Sequence, residues 1–230
     1  MGAEPLNTHI EKPTLQVAVD VPSLETAVKI ARVVSEAGAR FIEAGTPLIK
    51  NEGAARVLRK FREQLPRACI VADFKTMDAG ALEAEIAFKN GGDVLCVLGV
   101  ADNATIRSAV EVADAYGKAV LVDLMKVPNP VKRAVEVEKL GASIVCLHVG
   151  LDVQKTGETV ASKLELVRKV SEAVSIPVAV AGGIRLDRVK ALVASGAKLL
   201  VVGSAIVKSR NPAGETASFL QAIEEAWQQL

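Results

Sequence analysis

PVAVAGGIRLDRVKALVASGAKLLVVGSAIV, residues 177–207, holds one full period of the pattern that organises this chain. A Val-rich run (177–182) leads into a segment of helical period, Gly196 closes that segment, and a second apolar run (199–204) follows. Runs this short and continuously apolar belong to strands of a parallel sheet, which are covered on both faces. The same unit recurs upstream. Runs at 15–20 (LQVAVD), 41–45 (FIEAG), 69–75 (CIVADFK), 93–99 (DVLCVLG), 119–124 (AVLVDL) and 143–149 (SIVCLHV) bring the total to eight. Their C-terminal ends fall 22 to 33 residues apart, room for one strand and one helix each. Eight such units predict an α/β fold, a closed (β/α)8 (TIM) barrel forming a single domain over 15–230, after a polar arm over 1–14. An open, doubly wound sheet would show fewer units and a glycine fingerprint after the first strand, but here that strand runs into Asp20-Val21-Pro22.

Local signals agree with the count. Ser23 is placed to cap the first helix, and Asn103, Asn129 and Ser162 to cap later ones. EAGAR, NGGDV, YGKAV, LGASI and SGAKL each set a glycine between a helix and the next strand, where the chain turns through a left-handed conformation.

Composition narrows the function classes. Lys plus Arg is 28 and Asp plus Glu is 27, so the chain has no basic footprint for nucleic acid or an anionic membrane. Half of the residues are hydrophobic but only 3% are aromatic, so Ala, Val, Leu and Ile must build the core. No uncharged apolar run reaches the roughly 18 residues of a membrane span, and MGAEPLNTHIEKPT lacks the apolar segment of a signal peptide. Cys69, Cys96 and Cys146 are widely spaced within apolar runs, which reads as buried core thiols in a reducing compartment and a cytoplasmic protein.

The chemistry gathers where strands end. Asp20, Glu43, Asp73, Lys75, Asp123 and His148 all occupy C-terminal ends of predicted strands, which in a barrel converge on one mouth. Burying charge there is costly unless the groups serve one another or a ligand. Asp73 and Lys75, two apart in ADFKTMDAG (72–80), share a face with Val71 below them, and Asp78 follows as the strand leaves the barrel. This acid–base–acid run should keep the lysine protonated and its carboxylates ionised. Glu43 and Asp73, on adjacent strands, are a donor pair for Mg²⁺ (Mn²⁺ is the other option), with substrate oxygens and water completing the shell. His148, the one histidine besides His9 of the arm, is the acid/base candidate, and Asp152 follows it closely. Across the mouth, Gly182-Gly183 and Gly203-Ser204 follow the seventh and eighth strands, where barrels commonly hold phosphate.

LQVAVD, EAGTPLIKNEG, ADFKTMDAG, DVLCVLG and HVGLDVQ together resemble the orotidine 5′-monophosphate decarboxylase superfamily, and within it the 3-hexulose-6-phosphate synthases, from about residue 15 to residue 210. The resemblance implies a reversible aldol addition of formaldehyde to D-ribulose 5-phosphate through an enediolate, giving D-arabino-hex-3-ulose 6-phosphate. It implies Glu43 and Asp73 as metal ligands, Asp20 as a substrate-contacting acid, Lys75 as the enediolate's stabiliser and His148 as the proton-transfer group. It further implies a homodimer in which Asp78 reaches the neighbour's site. Where many relatives carry an Arg phosphate ligand, this chain has Ser204.

Three other readings stand beside this one. The 3-keto-L-gulonate 6-phosphate decarboxylases share the metal-enediolate logic, but resemble this chain with an Arg where it has Leu151. A Schiff-base aldolase would need a lysine of depressed pKa, which two flanking carboxylates oppose. A non-catalytic sugar-phosphate binder would need only the phosphate half of the mouth.

Overall fold

The eight apolar runs pair in chain order and the last pairs with the first, closing a barrel. The computed structural model describes residues 10–230. Its strands are β1 (Thr14–Val19), β2 (Phe41–Ala44), β3 (Cys69–Thr76), β4 (Val94–Leu98), β5 (Ala119–Asp123), β6 (Ile144–His148), β7 (Val178–Ala181) and β8 (Leu199–Val202), every pair parallel.

Helices fill the gaps. They are α1 (Leu24–Glu36), α2 (Thr46–Glu52), α3 (Ala54–Gln64), α4 (Gly80–Lys89), α5 (Asn103–Tyr116), α6 (Pro130–Lys139), α7 (Leu151–Gln154), α8 (Leu164–Ala173), α9 (Val189–Ala194), α10 (Ser204–Val207) and α11 (Pro212–Trp227). The two longest gaps, after β2 and β6, hold more than one helix, so one helix per unit was too simple a count. None of the helices among the described residues is long and apolar enough to cross a membrane.

Alternation along each strand divides the core in two. Ile70 and Ala72 face outward to the helices, with Leu58, Phe61 and Ala84 in the same cluster. Cys69 and Val71 face inward, with Phe41, Cys96, Leu121, Cys146 and Leu199. Ile10 joins this inner cluster, so the predicted arm's residues 10–13 seal against the barrel and Thr14 already pairs in β1. Residues 1–9, His9 among them, lie outside the described residues.

Helix ends correct two expectations. Ser23 and Asn129 accept hydrogen bonds from Thr26 N and Lys132 N as caps. Asn103 is instead the first residue of α5, behind Asp102, and its side chain accepts from Arg133. Ser162 lies inside a 3₁₀ turn (Val160–Lys163) and its hydroxyl donates to Thr159 O. In both places a nearby partner outcompetes the capping geometry. The five glycines after helices all take positive φ, +62° to +105°.

At the bottom of the barrel, opposite the predicted mouth, Asp93 is 1% exposed and joins β3, α3 and the residue before β5. Its carboxylate accepts from Ile70 N at 2.8 Å, from Lys118 Nζ at 2.6 Å and from Arg62 Nη2. Asp93→Asn should lower the unfolding free energy by about 2 kcal/mol, the scale of hydrogen bonds to a charged group with two cations able to rehydrate partly. Denaturant titration measures it, and a loss below about 0.5 kcal/mol, the size of an ordinary surface change, would show the cluster is dispensable.

Candidate active site

The strand ends open into a cavity of about 560 Å³ lined by Asp20, Glu43, Asp73, Lys75, Asp123, His148, Asp152, Gly182, Gly183, Gly203 and Ser204. Eleven of the twelve residues singled out in the sequence therefore meet in one space. The exception is Asp78.

β3 shows how the central pair arises. Its register with β4 runs Ala72↔Leu95 and then Thr76↔Val97, so four steps on β3 match two on β4. This bulge sets two inward side chains, Asp73 and Lys75, against a single one, Cys96. Lys75 takes φ +50°, a conformation a lysine adopts only when its surroundings impose it. Just beyond, Thr76 Oγ1 donates to Glu83 of α4, tying the far end of the bulge to a helix.

Lys75 Nζ lies 2.5 Å from Asp73 Oδ2. Thr46, the residue after Gly45, completes the knot. Its Oγ1 is 2.7 Å from Asp73 Oδ2 and 2.8 Å from the Asp73 carbonyl oxygen, and accepts from Lys75 Nζ at 3.1 Å. Burial pushes the Lys75 ammonium toward deprotonation, but the charge of Asp73 outweighs it and raises its pKa. Burial pushes Asp73 up, and Lys75 with Thr46 brings it below its ordinary value. The pair is thus charged on both sides, which removes the Schiff-base reading. Asp78 has no part in this balance, contrary to the acid–base–acid expectation. It is exposed outside the cavity, where its Oδ1 accepts from Ala79 N at 2.7 Å.

Glu43 and Asp20 are the uncompensated acids. Burial first, then Asp73 and Asp20, push the Glu43 carboxyl well above its usual range. Burial and Asp73 raise Asp20, with Lys75 and His148 opposing. Asp20 is open to the mouth and reaches it between two glycines. A Cβ on Gly45 would sit 2.1 Å from Asp20 Oδ1, and one on Gly203 would meet nothing closer than Asp20 Oδ2 at 3.5 Å. No close contact therefore demands glycine at 203, and its bareness leaves room for a ligand.

Three carboxylates against one ammonium are a donor set short of positive charge. Among the described residues no three His, Cys, Asp or Glu side chains close a metal cage. The excess of carboxylates is chemically suited to a hard dication, which would be held by one or two of them with the rest of its shell left to water and substrate.

On the other wall, His148 Nδ1 lies 2.7 Å from Asp123 Oδ2, and Asp123 Oδ1 accepts from Met125 N at 2.9 Å. Held this way, the imidazole keeps its proton on Nδ1 and presents Nε2 to the cavity. Asp152 sits at the rim, paired with Lys155 at 2.7 Å. Gly182 and Gly183 take φ +108° and +70°, and a Cβ on either would strike Val149 O or Thr159. Packing alone therefore requires both glycines.

Cavity residues that went unrecognised in the sequence are Gln16, Thr46, Lys126 and Lys208. Gln16 could have been found, since it shares a period-2 face with Ala18 and Asp20. All three cysteines are buried and unpaired, and Cys96 and Cys146 lie on the cavity wall. Burial pushes both thiols well above their ordinary pKa, so they are poor nucleophiles there.

Residues 13–219 match the Orotidine 5'-phosphate decarboxylase / HUMPS family. A 3-hexulose-6-phosphate synthase from Mycobacterium gastri is 42% identical over 210 residues, covering 91% of this chain and 99% of that protein. The crystal structure of a 3-hexulose-6-phosphate synthase from Salmonella typhimurium is 34% identical with a TM-score of 0.87, covering 93% of this chain and 99% of that one. A KGPDC from Streptococcus mutans, solved in complex with D-R5P, is 28% identical with a TM-score of 0.87, covering 94% and 99%.

Proposed function

The chain belongs to the Orotidine 5'-phosphate decarboxylase / HUMPS family, and from that premise we propose that it is a carbon–carbon aldehyde-lyase with 3-hexulose-6-phosphate synthase activity. It joins formaldehyde to D-ribulose 5-phosphate, reversibly. The observation that carries this reading is that Lys75 and the His148–Asp123 pair face one cavity beside Glu43 and Asp73. An ammonium and a proton carrier on opposite walls are what formation and trapping of an enediolate require. The solved complex of a relative with D-R5P supports a sugar phosphate as ligand.

In this reading His148 Nε2 removes a proton from C1 of the pentulose while Nδ1–H donates to Asp123. Lys75 stabilises the negative charge that develops on the substrate oxygens. The enediolate carbon attacks formaldehyde as its C=O π bond opens, and His148 Nε2 returns the proton taken from C1 to that oxygen, which becomes the new hydroxyl. Glu43 and Asp73 would hold Mg²⁺, or Mn²⁺ in its place, and the cation when bound supplies Lewis-acid stabilisation of the same oxygens. Asp20 contacts sugar hydroxyls at the mouth. The phosphate rests on the turns at Gly182-Gly183 and Gly203-Ser204, with Ser204's hydroxyl where a charged ligand is absent. Asp123 acts by orienting His148, and Asp152 has its rim position only.

A coupled assay tests the reading. The purified protein should consume ribulose 5-phosphate only when formaldehyde is present, yielding a hexulose phosphate. No product from that pair at any metal concentration would reject it.

The same reading includes a homodimer sharing its sites. It is supported by Asp78, exposed outside its own cavity between the exposed apolar side chains of Met77 and Leu82. Mixed Asp78→Ala and His148→Ala proteins, each inactive, should regain about a quarter of full activity, since half of the dimers are hybrids with one complete site. No recovery after verified subunit exchange would reject a shared site. A cytoplasmic location is supported by the three unpaired thiols.

A further inference from the structure

Gln16 is 2% exposed, lies on β1 and lines the floor of the cavity with Val71, Cys96, Leu121 and Cys146. Its Nε2 donates to Glu43 Oε2 at 2.5 Å, the one hydrogen bond from a side chain to that carboxylate among the described residues. Its Oε1 is, among the described residues, the single buried side-chain oxygen or nitrogen with no partner in the protein. Its neighbours there, Val71, Cys96, Leu121 and Cys146, are apolar, and a side chain of that kind at position 16 would avoid burying half an amide unsatisfied. With Glu43 ionised, as a cation's ligand must be, the NH₂ has to face the carboxylate and the carbonyl is turned to the other side.

We propose that Gln16 is a positioning residue with two ends: its NH₂ fixes Glu43 for the cation, and its free Oε1 holds an O–H donor on the cavity floor. That donor is either a water molecule or a hydroxyl of the sugar. The inference rests on the reading of Glu43 as a metal ligand. An amide hydrogen-bonded to a metal ligand sets that ligand's orientation, so its loss weakens metal binding without destroying the pocket.

The test uses Gln16→Met, close in volume and unable to form either hydrogen bond. Mn²⁺ affinity, read by electron paramagnetic resonance of the free ion without substrate, should fall at least about tenfold. kcat should fall in step, with the thermal midpoint not lowered. If the Met variant does not fold, Gln16→Asn keeps the amide but draws it back one carbon, and should show the same loss. Unchanged Mn²⁺ affinity in a folded variant overturns the proposal and leaves the function intact. Failure of the unsubstituted protein to bind Mn²⁺ overturns the metal reading, and this inference with it. Crystals of the unsubstituted protein with Mn²⁺, grown with and without ribulose 5-phosphate, separate the two donors. A water bonded to Oε1 in both identifies water, and a sugar oxygen replacing it identifies substrate. An Oε1 without a partner in both rejects the acceptor role.

Discussion

Asp73→Asn should lower kcat/KM of the aldol reaction about a thousandfold, roughly 4 kcal/mol of transition-state stabilisation. The shape of the side chain survives this change, so the loss reports charge. Asp73 is 5% exposed and its Oδ2 is met by Lys75 and Thr46 at once. An amide there removes the counter-charge of Lys75 and one of the two carboxylates proposed to hold the cation. Chelation probes the same group from the other side. EDTA should abolish turnover and Mg²⁺ should restore it. Full activity after exhaustive chelation would end the metal role, and a loss under about tenfold in Asp73→Asn would mean that its charge is marginal to the reaction.

The second expected result sets two reactions against each other. Synthase kcat/KM should exceed that for decarboxylation of 3-keto-L-gulonate 6-phosphate by at least about two orders of magnitude, or about 2.7 kcal/mol in barrier height. Leu151 carries the argument. It opens α7 directly after Gly150, lines the cavity and is 66% exposed at the rim. By the resemblance drawn from the sequence, the decarboxylase branch is expected to carry Arg at the matching position. An aliphatic side chain cannot donate a proton or orient water beside a sugar acid, whereas formaldehyde is small, neutral and needs no cation. Leu151→Arg should raise any trace of decarboxylation and depress the synthase rate. Equal or reversed values in the unsubstituted protein would put the chain in the other branch.

What the sequence made legible has a physical pattern. Eight apolar runs, the glycines between helix and strand, and six ionisable residues at strand ends are each expensive or strained anywhere else, so they announce a barrel and its mouth. Gln16 and Thr46 escaped notice because an amide or a hydroxyl costs little on paper and gains its meaning only from neighbours on other strands, Glu43 for one and Asp73 for the other. Lys126 and Lys208 read as ordinary surface cations, and only the curvature of the barrel brings them to the cavity. Asp78 looked like part of the charge balance around Lys75 because three residues along a strand is a short distance, but the chain has left the strand by then and turned outward. Asn103 and Ser162 have the chemistry of caps, yet Arg133 and Thr159 engage them first.

The bulge in β3 has a meaning for how this site can change over evolutionary time. Its excess over β4 is two residues, an even number, so side-chain parity is conserved: Ala72 and Thr76 both remain on the outward side, paired with Leu95 and Val97. Deletion of one residue between Asp73 and Lys75 would invert parity and turn Thr76 into the barrel, against the rest of the strand's pattern. Removal of a pair would preserve it and delete one inward functional group cleanly. Length variation at this strand tip is therefore admissible in steps of two, and each step adds or subtracts one side chain facing the cavity while the barrel beneath keeps its register.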